Sequence, residues 1–391
     1  MNDALTLYLI CDFPFGCENA NKTHMSELAS QLEKIGCCVK IIAPKTGGID
    51  GDKINVWRVP VIDLPVIRHA TYQLILPLAL STLFLRRKPD VLMASYTQST
   101  LSPGFIAKIF GTPCLLEVGD WLPLNFRLEG KNSLLVKVCE ATISLNCRLA
   151  DHIVTVTEGL KKIISRECGI RPEHISVNPN AVNTNLFKPQ GKSDVRERLG
   201  FTEDLPIICF TGTFKPQHGL EYLIECFREV KREIPEAILL LVGDGPEFGR
   251  TKSMASRLDG GRDIVFTGRV PYDKVPEYIN AGDVCVAPLT PAETGYSPLK
   301  IYEYCSCGRP VVASRVRGLD FIEETGSGVL VEPLDSKALS DALIRVLKDE
   351  PVIEKMGVNA REYALKHGWM VNAEKIKSIS RKISGKKIGG N

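Results

Sequence analysis

The segment ETGYSPLKIYEYCSCGRPVVAS, residues 293–314, combines residue types that suit an anion site. Pro298 fits the first position of a helix and Ser297 its N-cap, which would leave the N–H groups of Leu299 and Lys300 facing outward. A helix N-terminus favours negative charge, and Lys300 adds a full positive charge. Glu303 follows one turn later, within reach of hydroxyl groups on whatever the phosphate carries. The segment predicts a phosphate site with a hydroxyl-binding carboxylate, although a capped helix without a ligand fits the same residues.

A second candidate loop is FTGTFKPQHG, residues 210–219, which follows an apolar run. Gly212 and Thr213 stand at the predicted strand end and could approach a phosphate closely. Lys215 or His218 could neutralise the charge, although a single histidine is more often structural than functional.

The third candidate is LLLVGDGPEFG, residues 239–249, where Gly243 and Gly245 follow another strand. The spacing departs from a dinucleotide fingerprint, because Gly249 comes one residue late and no acidic residue follows at the usual distance. A nicotinamide site is therefore disfavoured, whereas close approach of the backbone to a nucleotide base or ribose stays open.

Two further candidate residues, in the N-terminal half of the chain, also follow predicted strands. His24 follows the first strand at a predicted helix start, and Asp120 follows the strand PCLLEVG. Both would open onto the same edge of a parallel sheet, so we expect them on one side of a binding cleft.

These loops require a scaffold of alternating strands and helices. Continuous apolar strands separated by helices are typical of parallel sheets covered on both faces. An Asn- and Pro-rich stretch at residues 177–194 predicts a linker, after which the pattern restarts. The sequence predicts an α/β protein of two doubly wound Rossmann-like domains facing across a cleft, over residues 1–188 and 189–369.

Composition excludes several function classes. The 391 residues are 44% hydrophobic and carry 49 basic and 46 acidic side chains, so neither disorder nor a nucleic-acid partner is indicated. The 13 cysteines include no Cys-x-x-Cys pair and no zinc spacing, which favours reduced, buried thiols and no metal. We expect no signal sequence, because the N-terminal apolar run lacks a basic leader. These features predict a cytoplasmic protein.

The segment YQLILPLALSTLFLRRK, residues 72–88, leaves two alternatives open. It is short for a membrane span and contains Pro77. An apolar helix that ends in Arg86, Arg87 and Lys88 could lie at the inner face of a membrane with its cations near lipid headgroups. It could equally be a core helix whose basic end complements the helix dipole.

Nearly the whole chain resembles the retaining glycosyltransferases with two Rossmann-like domains (the GT-B fold), of the group 1, family 4 type, which include mannosyl- and glucosyltransferases of bacterial and archaeal cell-surface glycans. The resemblance rests on ordered blocks: ADHIVTVTEGLKK, NPNAVNTNLF, FTGTFKPQHGLEYLI, LLLVGDGPE, IVFTGRVPYDKVPEYINAGDVCVAPL and SPLKIYEYCSCGRPVVAS. It implies transfer of a sugar from a nucleotide diphosphate sugar to a glycan or lipid-linked acceptor, with retention and without a required metal or other cofactor. It also implies a final helix, at about residues 370–391, that packs back on the first domain.

Carried over residue by residue, the resemblance puts the ribose-binding glutamate on Glu303. The family's second glutamate, eight positions earlier, falls on Gly295. Its loop Arg and Lys fall on Thr213 and His218, and its first-domain histidine falls on Gly119, beside Asp120.

The predicted sites follow from the loops and the resemblance together. We expect Asp120, Lys300 and Glu303 to be catalytic and His24 and Asp120 to lie on the acceptor side. The predicted donor-binding residues are Gly212, Thr213, Lys215, His218, Gly243, Gly245, Gly295, Tyr296, Ser297, Leu299, Lys300 and Glu303.

Two alternatives to a transferase remain. The departures at Gly295, Thr213 and Gly119 suit a non-catalytic subunit that binds a nucleotide sugar. A nucleotide-sugar epimerase shares the two-domain architecture, although the Asn-rich linker and the SPLKIYEY block favour a transferase.

Overall fold

The computed structural model describes residues 4–13, 15, 20–45, 55–95, 100–258 and 260–386. Strands and helices alternate along this chain, as the apolar runs predict. The strands are β1 (Thr6–Ile10), β2 (Cys38–Pro44), β3 (Val56–Val59), β4 (Val91–Ser95), β5 (Cys114–Val118), β6 (His152–Thr155), β7 (Ile175–Val177), β8 (Ile207–Thr211), β9 (Ile238–Val242), β10 (Ile264–Gly268), β11 (Val284–Ala287), β12 (Val311–Ser314) and β13 (Gly328–Val331). The helices are α1 (Ala20–Lys34), α2 (Pro65–Arg86), α3 (Ser102–Ile109), α4 (Leu122–Leu128), α5 (Ser133–Leu149), α6 (Glu158–Cys168), α7 (Lys192–Leu199), α8 (Leu220–Glu233), α9 (Phe248–Ala255), α10 (Val275–Ala281), α11 (Leu299–Ser306), α12 (Phe321–Glu324), α13 (Ser336–Leu347), α14 (Glu350–Lys366) and α15 (Trp369–Ser384).

The chain forms two compact units, each built on its own parallel sheet. The first contains residues 1–179 and 369–391, and the second contains residues 180–368. The strand orders are β3-β2-β1-β4-β5-β6-β7 and β10-β9-β8-β11-β12-β13. Both orders reverse direction at the first strand of the unit, which is the arrangement of a doubly wound sheet.

The unit boundary precedes the expected one at 188/189. The Asn- and Pro-rich stretch is not a free linker, because its later residues pack on the second unit. Phe187 is fully buried in the core of that unit, and the main-chain N–H of Asn180 donates to Ser297 Oγ over 2.9 Å. An Asn-rich composition predicted a linker, but tertiary hydrogen bonds and one buried phenylalanine decide where the stretch belongs.

In the first unit, helices cover both faces of the sheet. Leu7 and Leu9 of β1 pack with α1 and α15, whereas Tyr8 and Ile10 face α2 and α3. The alternation follows from the two-residue period of a strand. The final helix is joined to α1 by Lys377, whose ammonium group donates to the carbonyl of Ile35.

Helix α2 continues through Pro77, which did not break it. Its inner face is part of the core, through residues such as Tyr72 and Leu76. Among the described residues, no helix is both long enough and apolar enough to cross a membrane.

In the second unit a buried ion pair joins α7 to the residue that precedes β11. Asp283 Oδ2 accepts a hydrogen bond from Arg196 Nη2 over 2.7 Å and another from the main-chain N–H of Ile207 over 2.8 Å. Arg196 is 1% exposed, so its charge is withdrawn from water and depends on this partner.

Replacing Asp283 by Ala is expected to lower the free energy of unfolding by about 3–5 kcal/mol, because it leaves a buried guanidinium group without its carboxylate. Urea denaturation measures the change. The matched control is Asp341→Ala, which removes an exposed partner of Lys337 and should cost less than about 1 kcal/mol. If both substitutions lower the free energy of unfolding equally, the buried ion pair contributes no more to stability than the exposed one.

Candidate functional site

The residues predicted to bind the donor lie near the point where the strand order of the second sheet reverses. β8 lies between β9 and β11 in this sheet. The loop after β8 and the loop before α11 both leave from the carboxyl ends of these strands. In open α/β sheets this is where ligands bind, because the diverging loops leave a crevice there.

The start of α11 differs from the sequence prediction in one respect. The residue that precedes the helix is Pro298, and Ser297 is not the N-cap. Ser297 Oγ instead accepts from Asn180 N and lies 3.2 Å from the hydroxyl of Tyr302. Leu299 and Lys300 are the first two helical residues, and N–H groups at such positions have no partner within the helix. The helix therefore begins one residue later than the sequence predicts. Ser297 does not cap it but is hydrogen-bonded to Asn180.

The Lys300 ammonium group is buried and has no hydrogen-bond partner among the described residues. Its side chain is 8% exposed, and Nζ lies 4.2 Å from the centre of the Phe210 ring. Burial lowers the pKa of Lys300 to about 7, and Lys215 also lowers it, whereas Glu303 raises it. An unpaired lysine in such a place is expensive in the absence of an anion.

Gly212 makes room for this lysine. A Cβ atom at position 212 would lie 2.8 Å from Lys300 Nζ, and the φ angle of +134° also disfavours a side chain. The glycine thus lets the ammonium group reach the loop after β8.

Gly243 and Gly245 are explained by packing between two loops. A Cβ at Gly243 would lie 2.0 Å from the carbonyl oxygen of Gly212, and one at Gly245 would lie 2.5 Å from that of Phe214. The main-chain N–H of Phe214 donates to the carbonyl of Asp244 over 2.9 Å. The close approach that the glycines permit is to the neighbouring loop, and their contact with a donor stays a prediction.

His218 is held in one tautomer by the loop it belongs to. Its Nδ1 is hydrogen-bonded to the carbonyl oxygen of Thr213, which can only accept, so Nδ1 carries the hydrogen and Nε2 is the basic atom. The pKa of His218 lies well below its ordinary value, because of burial first and then the charge of Lys300. The side chains of Thr213 and Lys215 are exposed. Because the positive charge of Lys300 lowers the pKa of His218, an anion bound beside the two groups would be stabilised by the lysine and would favour the protonated histidine.

Glu303 is buried one turn after Lys300 and accepts a hydrogen bond from the Tyr272 hydroxyl over 2.8 Å. It is 6% exposed, and burial raises its pKa to about 7, while Tyr272 and Lys300 oppose that rise. Sequence reasoning missed Tyr272, which follows β10. An aromatic residue in the loop GRVPYDK gave no signal that its hydroxyl would reach a carboxylate in α11.

Gly295 has a backbone conformation that suits glycine. Its φ angle is +67°, and a Cβ would lie 3.2 Å from the carbonyl oxygen of Arg317. Tyr296 is fixed nearby, because its N–H donates to that same carbonyl and its hydroxyl donates to the carbonyl of Thr290 over 2.8 Å. Glu293 is exposed on the same loop.

The two acceptor-side candidates lie in the first unit. Asp120 is exposed just beyond β5, and its carboxylate accepts from the N–H of Trp121 over 2.7 Å and from the Asn125 amide over 2.6 Å. These bonds stabilise the first turn of α4. The residue stands at a strand end, as the sequence predicts, with its carboxylate in local hydrogen bonds.

His24 differs from the expectation of an open position at a helix start. It lies in the second turn of α1, is 3% exposed, and its Nε2 is 2.8 Å from Glu117 Oε1 on β5. Trp369 packs edge-on against the imidazole. Burial alone would raise the pKa of Glu117, but His24 holds it below its ordinary value. The sequence missed Glu117 because an acidic residue inside an apolar strand has no visible partner until the fold supplies one.

The structure therefore brings the loop after β8 together with Lys300 and Glu303, and it places His24 and Asp120 in the other unit. Among the described residues, no group of three or more His, Cys, Asp or Glu side chains is arranged to hold a metal ion.

Replacing Lys300 by Met should have opposite effects on stability and on nucleotide binding. Because burial lowers the pKa from 10.5 to about 7, the unfolded chain binds this proton more tightly, and Lys300 opposes folding increasingly as the pH falls through that range. The variant should be more stable than the wild type at pH 7, and its affinity for a nucleoside diphosphate should fall by about tenfold to a hundredfold. Denaturation and calorimetry at several pH values measure both effects.

The wild-type affinity should also decrease above pH 7, where free Lys300 loses its proton, and the variant should lack this dependence. Lys252→Met, at an exposed lysine of α9, is the control and should change neither quantity. An unchanged affinity in the Lys300 variant would remove this residue from the anion site.

Introducing the family's missing glutamate by Gly295→Glu should destabilise the protein by about 1 kcal/mol or more, because of the positive φ angle and the nearby Arg317 carbonyl. We expect no gain in nucleotide-sugar affinity. Gly249→Glu, where a Cβ meets nothing within 4 Å, is the matched control for thermal denaturation. A more stable and more active Gly295 variant would show that the loop adapts to the side chain.

Comparison with known proteins points to one family. A model described as Glycosyltransferase Family 4 matches residues 22–186, and a model described as Glycosyl transferases group 1 matches residues 205–349. The chain is 30% identical over 200 residues to a GDP-mannose-dependent alpha-(1-6)-phosphatidylinositol monomannoside mannosyltransferase of Mycolicibacterium smegmatis, covering 49% of this chain and 51% of that protein. It is 29% identical over 306 residues to the sulfoquinovosyl transferase SQD2 of Arabidopsis thaliana, covering 75% and 56%. The matches thus span about half the length of these relatives.

Solved structures show the same fold. A sucrose-phosphate synthase from Thermosynechococcus elongatus superimposes with a TM-score of 0.78 at 21% identity, covering 98% of this chain and 100% of that one. The Anabaena protein HepE in complex with UDP gives a TM-score of 0.76 at 19% identity, covering 97% and 100%. With two family models matched in order over two Rossmann-like units, the chain belongs to the glycosyltransferases of the GT-B fold.

Proposed function

We propose that this protein is a retaining glycosyltransferase that moves a sugar from a nucleotide diphosphate sugar to a glycan or lipid-linked acceptor without a metal ion. The observation that carries the proposal is Lys300, a buried ammonium group without a hydrogen-bond partner among the described residues, at the start of a helix where two loops diverge. A diphosphate is the ligand that such a group lacks.

The difficult step in this chemistry is departure of the nucleoside diphosphate, which accumulates negative charge as the sugar becomes cationic. Lys300 and the first N–H groups of α11 would stabilise that charge, with Lys215 and His218 assisting from the loop after β8. A site whose positive groups are placed before the reaction needs little reorganisation in the transition state.

Glu303 has the properties of a clamp for the donor ribose. Its carboxylate is fixed by the Tyr272 hydroxyl and is buried within one turn of Lys300. An ionised carboxylate that accepts hydrogen bonds from two adjacent hydroxyl groups would orient the nucleotide, and binding would favour the charged form.

Retention of configuration is proposed to proceed without a covalent sugar–enzyme intermediate. A double displacement needs a carboxylate beside the reacting carbon, and the position that carries one in many family members is Gly295 here. The leaving phosphate oxygen would take the acceptor's proton on the same face of the sugar, so that the new bond forms where the old one broke.

Asp120 of the first unit and the name of one relative support a glycan or lipid-linked acceptor. Asp120 stands at a strand end in this unit, where its exposed carboxylate could orient an acceptor hydroxyl. His24 is buried and would not contact the acceptor itself; it would hold Glu117 of β5 in position through their hydrogen bond. The mycobacterial relative is named for a phosphatidylinositol mannoside acceptor, which supports a lipid-linked substrate and peripheral contact with the inner face of a membrane.

A non-catalytic subunit that binds nucleotide sugars is the second candidate. It is favoured by Gly295, Thr213 and Gly119, which stand where the family often has Glu, Arg and His. Tight binding of a nucleotide sugar without turnover over a panel of acceptors would support this candidate.

A thermal-shift screen of nucleoside diphosphates and nucleotide sugars identifies the donor. A ligand at a hundred times its Kd stabilises the folded protein by about 2.7 kcal/mol. With the donor known, Glu303→Gln is expected to lower its affinity by about tenfold to a hundredfold, because a charged acceptor of hydrogen bonds becomes neutral. Calorimetry measures the affinity, and NMR of the product reports its anomeric configuration.

Glu293→Gln is the matched control for Glu303, since it makes the same change on the exposed part of the neighbouring loop. It should leave donor affinity within about twofold. If the two variants behave alike, Glu303 does not bind the ribose, and a product of inverted configuration would refute the retaining mechanism.

A further inference from the structure

Helix α2 exposes a stripe of four apolar side chains along one line on its outer side. Ile67 is 43% exposed, and Leu74, Leu78 and Leu85 are 74%, 72% and 79% exposed. At about 100° per residue these four side chains fall within an arc of about 40° around the helix axis. Single exposed leucines are common on protein surfaces, but four apolar side chains on one line of one helix are not scattered.

The stripe is not needed to attach α2 to its unit. The opposite face supplies Tyr72, Leu76, Leu80 and Phe84 to the core against β1, β2 and β4. A helix that already has a buried face ordinarily presents polar residues to water on the other. The outer leucines of α2 therefore need an explanation other than folding.

Helix α3 widens the apolar surface. It packs on the same face of the sheet as α2, and the Phe84 and Phe110 rings meet at a centroid distance of 5.2 Å. Phe105 and Ile109 of α3 are 44% and 74% exposed on the outer side.

The charged side chains of α2 itself are all basic. Helix α2 contains no Asp or Glu in 22 residues, and Arg86, Arg87 and Lys88 are exposed at its C-terminal end. Asp63, which precedes the helix, forms an ion pair with Arg68 over 2.9 Å. An apolar face with cations at one end matches a surface that is apolar inside and negatively charged outside.

We propose that the outer face of α2, extended by α3, docks the protein on a membrane that contains anionic lipids. The stripe would enter the boundary between headgroups and acyl chains, and the three cations would contact lipid phosphates. This occupant uses both the leucines and the cations, whereas a second copy of the chain would bring the same positive charges to the interface. Docking through this face would bring the proposed reaction to a lipid-linked acceptor at the membrane surface. The docking itself does not depend on sugar transfer.

Sedimentation of the full chain with vesicles tests the surface. We expect binding to vesicles of phosphatidylcholine mixed with phosphatidylglycerol, and much weaker binding to phosphatidylcholine alone. The double variant L74N/L78N should bind more than tenfold more weakly. The variant R86Q/R87Q should lose about tenfold on mixed vesicles at low salt and little at high salt.

L365N, at a leucine of α14 that is 56% exposed, is the control and should bind as the wild type does. Circular dichroism and thermal shift with a nucleoside diphosphate establish that each variant is folded and retains its donor site. Failure of the donor test therefore remains separate from failure of the membrane test.

Equal binding of the wild type and L74N/L78N to mixed vesicles would overturn the proposal, as would no binding of the wild type at low salt. A dimer of the wild type in solution that L74N/L78N converts to a monomer would also overturn it, because the stripe would then be covered by a second copy.

Discussion

The ammonium group of Lys300 is buried in the second unit without a hydrogen-bond partner among the described residues, and the loop after β8 leaves space for it at Gly212. Burial lowers its pKa to about 7, so an appreciable fraction of the free protein has this lysine uncharged near neutrality. The surrounding groups neither pair with it nor exclude it. They leave space over Gly212, a ring face at Phe210 and a carboxylate one turn away at Glu303. A buried cation of this kind would be stabilised by an anion, which is why we propose a diphosphate as its ligand.

Close packing of two neighbouring loops explains why glycine recurs around the site. The loops after β8 and β9 approach so closely that side chains at Gly243 and Gly245 would collide with main-chain carbonyls. Close packing of the loops fixes the carbonyl of Thr213, which in turn fixes the tautomer of His218. The positions of the charged groups therefore depend on backbone conformations that only glycine adopts at low cost. Where the family's second glutamate is missing, the positive φ angle of Gly295 gives the physical reason that a side chain is unfavourable there.

The first unit combines a buried interaction with exposed surfaces of a different kind. The His24–Glu117 hydrogen bond lies between α1 and β5, and Trp369 of the final helix packs against the His24 ring within the same unit. By contrast, α2 presents leucines and cations to solvent while its other face forms the core.

From its sequence alone, this protein could be assigned two parallel α/β sheets, because apolar runs of strand length separated by helical patterns have few other stable arrangements. The order of the quoted sequence blocks indicated the glycosyltransferase family, and the start of the helix that we predict to bind phosphate could be placed to within one residue. Tertiary structure decided what each side chain meets. Ser297 pairs with Asn180, more than a hundred residues away in the chain, and Tyr272 reaches Glu303 from another loop. His24 is buried rather than open, and the Asn-rich stretch belongs to the second unit rather than to a linker. Local patterns encode secondary structure through short-range periodicity, whereas burial, pKa and hydrogen-bond partners arise from contacts between distant segments that exist only once the sheets have formed.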